Sequence, residues 1–251
     1  MTSKRLFDIL FSLVVLIATA PIMLSAIALV WLYDRHSPIY RAKRVGMNNR
    51  DFEMLKIRSM RVNADKTGVN STGASDSRIT PVGHYIRKLK LDELSQFWNV
   101  LKGDMSVVGP RPNTRNGGTD LYTAREMDLL KARPGITDLS SIIFSDEGAI
   151  LDGAADPDDL YDRIIRPWKS RLGLLYIEHS SILLDIRIIW LTALAITSKP
   201  NAIAGINVIL KSLNAHPSLI ETCLRRAPLR ETPPPDVSDA GLYALCGNAT
   251  A

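Results

Sequence analysis

Cysteine is nearly absent: Cys223 and Cys246 are the only two in 251 residues, and both stand near the C-terminus. They form neither a disulfide framework nor a metal-ligand spacing, so the chain reads as cytosol-facing. Fifteen Gly and 14 Pro are too few for a collagen-like repeat, and 46% hydrophobic with 23% charged residues excludes wholesale disorder. No internal repeat occurs. Aromatic residues make up 6%, and no helix-turn-helix, finger or aromatic RNA-binding motif accompanies the basic charge, which argues against a nucleic-acid-binding protein. What is present is a modest cationic excess. Lys and Arg number 31 against 26 Asp and Glu, a formal charge of +5. That balance favours acidic partners without choosing among nucleic acid, anionic lipid and phosphorylated metabolites. The length allows one ordinary domain with or without an appendage.

Apolar residues crowd the N-terminus. Leu6 to Tyr33 forms a 28-residue run whose only acidic member is Asp8. The run is about twice the length of a signal-peptide core and no small-residue cleavage site follows, so it is expected to stay attached. As a straight helix it would measure roughly 42 Å, against a hydrocarbon core of ~30 Å. Pro21, at its centre, removes a backbone donor and kinks a helix. Lys4 and Arg5 precede the run, and Arg35, Arg41, Lys43 and Arg44 follow it, so positive charge favours no single spanning orientation. Charge counting leaves a tilted spanning helix and a re-entrant one both open.

Further on, 38–45 and 52–57 carry strand-like runs separated by turn-forming Gly and Asn, a hairpin pattern. Residues 63–80 are polar and Gly/Ser/Thr-rich, the composition of a surface loop. Segments 82–90 and 92–101 read as helices. The second carries Leu94, Phe97, Trp98 and Leu101 on one face, expected to be buried. Residues 121–132 also look helical. Pro157 to His179 reads as a helix with Pro167 placed to bend or split it. The apolar run 181–198, interrupted by Asp185 and Arg187, is too short for a comfortable span and reads as an interfacial or core helix. Beyond about 200 the pattern fades, and residues 227–251 have the composition of a disordered tail.

The chemistry-bearing stretch is Arg87 to Gln96, where Asp92 and Glu93 open a helix directly after a cationic one. In isolation Asp92 reads most simply as an N-cap, with Glu93 favourable in the first turn. Lys56, Arg58, Arg87 and Arg111 supply cations that, if they converge, suit a diphosphate. Guanidinium forks match phosphate oxygens, and the prolines flanking Arg111 limit the freedom lost on ordering. The alternative is that these are ordinary solvated charges. His84, near the pair, is given no role.

These residues resemble the bacterial sugar transferases, the monotopic polyprenyl-phosphate phosphoglycosyl transferases. The likeness begins at Lys4-Arg5-x-Phe7-Asp8 with Ser12 and continues through Lys56-Ile-Arg58-Ser-Met60 and Arg78-Ile-Thr-Pro81-Val-Gly83. It peaks from Leu91-Asp92-Glu93-Leu-x-Gln96 to Lys102-Gly103-Asp104-Met105-Ser106-Val-Val-Gly109-Pro110-Arg111-Pro112. It resumes at Pro134-Gly135-Ile136-Thr137, Pro167-x-Lys169, Tyr176, Ser181, Asp185 and Thr192, covering roughly residues 4–198.

The resemblance implies an α+β, mainly helical monotopic protein on the cytoplasmic face of the bacterial inner membrane. Its parts would be a Pro-broken re-entrant membrane helix (1–36), a catalytic domain with a small β-hairpin and interfacial helices (37–200), and a partly disordered C-terminal extension (201–251). It implies transfer of a sugar 1-phosphate from a nucleotide diphosphate sugar, a UDP-sugar by expectation, to polyprenyl phosphate. Asp92 would be the covalent nucleophile and Glu93 the Mg²⁺ ligand. Arg87 and Arg111 would clamp phosphates, with Lys56 and Arg58 as further binding candidates, and a homodimer is an open partner. Three departures stand out. Ala20-Pro21 replaces a common Ser-Pro, so Thr19 or Ser25 is expected to supply the missing hydroxyl. Ser95 replaces the usual Pro after Asp-Glu-Leu. Asp138 to Glu147 replaces a Gly-Leu-x-Gln-Val-x-Gly-Arg pattern associated with the nucleotide sugar, leaving Asp146 or Glu147 to face the sugar. A membrane-anchored binding protein that has kept the fold without turnover is the competing reading.

Overall fold

A computed structural model describes residues 2–67, 73 and 76–236. Cys246 and much of the polar stretch 63–80 lie outside them. The chain opens with α1, Ser3–Asp34, started by the Thr2 hydroxyl accepting from the Arg5 N–H and ended by Arg35 in the left-handed region. Thirty-two residues make a rod of about 48 Å. It runs through Pro21 as a single helix, so the expected break is not an interruption of the helix. Neither expected hydroxyl repairs the carbonyl that Pro21 leaves without a donor, that of Ile17. Thr19 donates to Val15 O at 2.7 Å and Ser25 to Pro21 O at 2.8 Å.

Both ends of α1 are fastened to the same body. At the start, Lys4 Nζ lies 2.6 Å from Asp185 Oδ2. Arg5 donates to Val100 O and Leu101 O at 2.6 and 2.9 Å, satisfying carbonyls at a helix C-terminus. Buried Asp8 accepts from Ser106 Oγ at 2.9 Å and from the Val107 N–H at 3.1 Å. At the far end Asp34 receives both arms of Arg58 at 2.6 Å each. Between these tethers the exposed side chains include Leu13, Val14, Ile17, Ile22, Leu24 and Leu29.

The hairpin is present as β1 (Ile39–Val45) and β2 (Asp51–Ile57), antiparallel with Ala42 opposite Met54. Asn48 and Asn49, both at positive φ, make its turn, a conformation Asn tolerates better than most residues. Helix α2, Pro81–Lys88, is capped by Thr80 Oγ1 on the Gly83 N–H, with Pro81 in its first turn. A 3₁₀ turn at Leu91–Glu93 leads to α3, Gln96–Lys102. Its buried face is Gln96, Phe97, Asn99 and Val100, whereas Trp98 is 55% exposed, against the expectation from spacing. Two Gly/Pro-punctuated segments pair as short parallel strands, β3 (Ser106–Val108) and β4 (Gly135–Thr137). A Cβ on Gly135 would sit 2.1 Å from the Gly109 nitrogen; only glycine permits that approach. Between them, the region expected to form one helix over 121–132 holds instead the end of one 3₁₀ segment, Thr119–Leu121, and a second, Glu126–Lys131.

The helices that close the fold are α4 (Leu139–Ile143), α5 (Glu147–Ile150), α6 (Pro157–Ile164), α7 (Arg166–Glu178) and α8 (Ile182–Thr197). Pro167 splits the 157–179 run as its chemistry requires, standing in the first turn of α7. The C-terminal extension, where the sequence pattern fades, is helical in its first part, as α9 (Lys199–Ser212) and α10 (Pro217–Cys223). Ile206, Leu210, Leu219 and Cys223 join the main core with Met105, Leu139, Leu172 and Ile188. Burial of these apolar faces overrides the weak local pattern.

Candidate active site

The site begins with a forced turn. Lys90 takes positive φ (56°) after α2, reversing the chain so that the 3₁₀ turn presents Asp92 and Glu93 to the inner end of β2. Asp92 caps nothing: the 3₁₀ turn is preceded by Lys90 and α3 by Ser95, neither start having a side-chain cap. Asp92 is 6% exposed, and its carboxylate accepts no hydrogen bond from a described residue. Lys56 Nζ is its counter-ion at 3.8 Å, too long for a hydrogen bond. Glu93 differs. Its Oε1 accepts from Arg111 Nη2 at 2.8 Å, while Oε2 has no partner among the described residues.

The environments push the two acids apart. Burial raises the Asp92 pKa, with the Glu93 charge adding to it and Lys56 opposing. Burial works the same way on Glu93, but Arg111, Lys90 and Lys56 outweigh it and hold that carboxyl at about 2. Lys56 is lowered to about 8 by burial and by the Arg111 charge, only partly offset by the two carboxylates. Such divergence between neighbours is the pattern of groups assigned different tasks.

Two supports position these groups. Asn99 on α3 accepts from the Leu55 N–H at 2.9 Å and donates to Glu53 O at 2.7 Å, gripping β2 on either side of Met54 and aiming Lys56 at Asp92. The close Gly109–Gly135 approach holds the segment carrying Arg111, whose Nη1 reaches Ile136 O at 3.5 Å. Asp92, Glu93, Lys56 and Arg111 are therefore brought together. Arg87 is half-buried in the last turn of α2, lies in the field of Asp92 and makes no ion pair with a described residue. Arg58 does not join them. It is 9% exposed and spent on Asp34 and Ser37 O, because it lies just past the end of β2, where Asp34 at the end of α1 claims its guanidinium.

Sequence reading missed four contributors. Arg44, on β1, lies in the field of Arg111 and Lys56. Lys90 acts on both carboxylates. Asn99 was visible as a polar residue inside a densely patterned stretch. Lys169 pairs with Glu147 and lies 5.1 Å over the Tyr161 ring, and all three stand in the field of Arg111. Of the two acids expected to face a sugar, Asp146 turns away toward Lys199 and Arg225. A narrow cavity beside Pro110 and Pro112, lined also by Tyr122 and Leu129, lies behind Arg111 and is not the carboxylate site.

One bare and one paired carboxylate thus lie among the cations Lys56, Arg87, Lys90 and Arg111. The family described as bacterial sugar transferase matches residues 1–199, and the chain belongs to that family. It is 41% identical over 199 residues to an undecaprenyl-phosphate glucose phosphotransferase of Komagataeibacter xylinus, covering 76% of this chain and 35% of the relative. It is 35% identical over 195 residues to a UDP-N-acetylgalactosamine-undecaprenyl-phosphate N-acetylgalactosaminephosphotransferase of Aeromonas hydrophila, covering 75% and 42%. It is 36% identical over 194 residues to a UDP-glucose:undecaprenyl-phosphate glucose-1-phosphate transferase of Klebsiella pneumoniae, covering 76% and 39%. The match spans about two fifths of the length of these relatives.

Proposed function

We propose that this chain is a phosphoglycosyl transferase that moves a sugar 1-phosphate from a UDP-sugar to polyprenyl phosphate, the first membrane step of glycan assembly. The observation that carries the reading is the unequal pair: a buried Asp92 whose carboxylate accepts no hydrogen bond from a described residue, beside a Glu93 locked to Arg111. An Asp92 oxygen attacks the sugar-bearing phosphorus, the bond to the bridging oxygen breaks, and nucleoside monophosphate leaves with that oxygen. An oxygen of polyprenyl phosphate then attacks the same phosphorus and frees the Asp92 carboxylate. Lys56, Arg111 and Arg87 hold the anionic donor against the acids, and Glu147 with Lys169 meets the uncharged sugar.

The donor set fits Mg²⁺. Glu93 is ionised and has one oxygen unpartnered, and among the described residues no group of three or more His, Cys, Asp and Glu forms a protein cage. Mg²⁺ takes one or two carboxylates plus substrate phosphates. Held by Glu93, it would supply neutralisation of diphosphate charge.

A helix whose two ends are tied to one domain suits re-entry into a single leaflet, which puts the site at headgroup depth on the cytoplasmic face of the inner membrane. Cysteines placed at Thr2 and His36, both exposed, in a Cys246→Ser background should react with an impermeant reagent from the same side of sealed vesicles. Opposite sides would mean a spanning anchor. The reaction itself is tested by mixing enzyme with a UDP-sugar alone. A stoichiometric burst of UMP is expected, with turnover only after polyprenyl phosphate is added; absence of both removes the proposal.

The Lys56 ammonium sets the alkaline limit. It is charged below about 8 and neutral above, so rising pH strips Asp92 and the incoming phosphates of a cation. kcat/KM for the donor should fall above pH 8, and bound diphosphate should carry the corresponding limb of kcat to higher pH. Lys56→Met should abolish that limb.

A further inference from the structure

Asp146 immediately precedes α5, where an Asp would ordinarily cap the helix, yet it makes no capping bond. Its carboxylate is turned the other way. Arg225 Nη2 donates to Oδ2 at 3.2 Å, and Lys199 Nζ lies 2.9 Å from Oδ1 in a purely Coulombic contact. Lys199 opens α9, while Arg225 follows α10 at positive φ and places its guanidinium 5.6 Å over the Phe144 ring. Downstream, the chain is tied back at several points, among them an ion pair of Glu231 with Arg163. The Thr232 N–H donates to Arg163 O at 3.1 Å, Arg171 to Pro233 O at 2.9 Å, and Thr123 to Pro235 O. Both cations on Asp146 thus come from the start of α9 and the end of α10, and one of them, Arg225, lies beyond the residues that match the family. The residue after Asp146 is Glu147, which pairs with Lys169 in the field of Arg111.

We propose that the C-terminal segment 199–225 is a working part of the donor site, with Asp146 as its positioning residue. Lys199 and Arg225 fix the start of α5 so that Glu147 stays paired with Lys169 beside Arg111. Freed from the bracket, α5 would have one four-residue turn and ordinary capping chemistry to hold Glu147, and the carboxylate would drift from the donor. The inference rests on the phosphoglycosyl transfer reading for its substrate, but its mechanical content is independent of the chemistry.

In a two-step displacement, kcat/KM for the donor reports only the first step and kcat/KM for polyprenyl phosphate only the second. Asp146→Asn should lower the donor value about fivefold to tenfold and leave the acceptor value within about twofold. Arg225→Lys, which keeps the charge, should stay close to wild type, and Arg225→Met, which leaves Lys199 on Asp146, should lower the donor value in the same direction by no more than Asp146→Asn does. The double variant Asp146→Asn with Arg225→Met should be no worse than Asp146→Asn alone, since the amide already removes the charge that both cations meet. An unchanged donor value, or donor and acceptor values falling in equal proportion, overturns the bracket. Calorimetric titration of UDP-glucose reads the same difference without turnover. A wild type that binds it but never releases UMP would condemn the reaction and leave the bracket standing if Asp146→Asn still binds more weakly. Equal affinity of the two proteins would overturn the bracket alone.

Discussion

The Asp92→Asn protein should release no UMP from a UDP-sugar, a loss of at least about 10⁴-fold, because an amide cannot act as the displaced nucleophile. Intact-mass measurement of acid-quenched wild type with donor alone should show a sugar-phosphate adduct that the variant lacks. The substitution is unusually clean. The Asp92 carboxylate caps no helix and accepts no hydrogen bond from a described residue, and burial raises its pKa. Replacing it with a neutral isostere relieves a desolvation penalty and removes a like charge next to Glu93. The variant should therefore melt at or slightly above the wild-type temperature, so lost activity cannot be assigned to lost folding. A lower melting temperature together with retained UMP release would show that Asp92 is structural. The same protein separates catalysis from the competing view of a binding module: donor affinity should survive while chemistry does not.

How much of this was legible without coordinates differs from element to element. The hairpin was, because Asn48 and Asn49 sit where two strand patterns meet, and Pro167 marked the division between α6 and α7. Asp92 with Glu93 and Arg111 was legible through a densely matching stretch of chain. Arg58 was not. It stands in the same patterned segment as Lys56, but the partner that claims it, Asp34, is 24 residues away on another element. Local spacing carries no information about such a pairing. Trp98 failed for a related reason. Helical periodicity predicts that one face is buried but not which neighbour buries it. Here β2 is gripped through polar Asn99, so the inward face of α3 is Gln96, Phe97, Asn99 and Val100, with Phe97 buried as its spacing predicts. The parallel pairing of β3 with β4 hides in Gly/Pro-rich sequence, since its specification is the close approach of two glycines and not a run of strand formers. Helices α9 and α10 were not legible because the periodic pattern fades beyond about 200, yet they gain their order from burial in a core assembled elsewhere in the chain.

Arg111 carries the second large effect, because it serves Glu93 and the donor at once. Its Nη2 lies 2.8 Å from Glu93 Oε1, and the charge is reinforced on both sides: Glu93 raises the Arg111 pKa and Arg111 lowers that of Glu93. Arg111→Met should reduce kcat/KM for the donor by roughly 10²–10³, the range seen when a preorganised charge aimed at a developing anion is removed. Arg111→Lys should recover only part, since a point charge cannot keep one arm on Glu93 and offer another to phosphate. The pH profile distinguishes this from generic damage. With Arg111 in place Glu93 titrates at about 2, below its unfolded value, so its ionisation stabilises the fold above about pH 4.5 and that contribution is lost as pH falls toward 2. Without the guanidinium, burial is opposed only by Lys90 and Lys56, and the Glu93 pKa moves upward. An acid limb absent from the wild-type profile above pH 4 should then enter the measurable range in Arg111→Met and retreat again in Arg111→Lys. If the methionine variant loses rate but shows the wild-type acid profile, Arg111 acts on the donor alone and Glu93 owes its ionisation to the lysines.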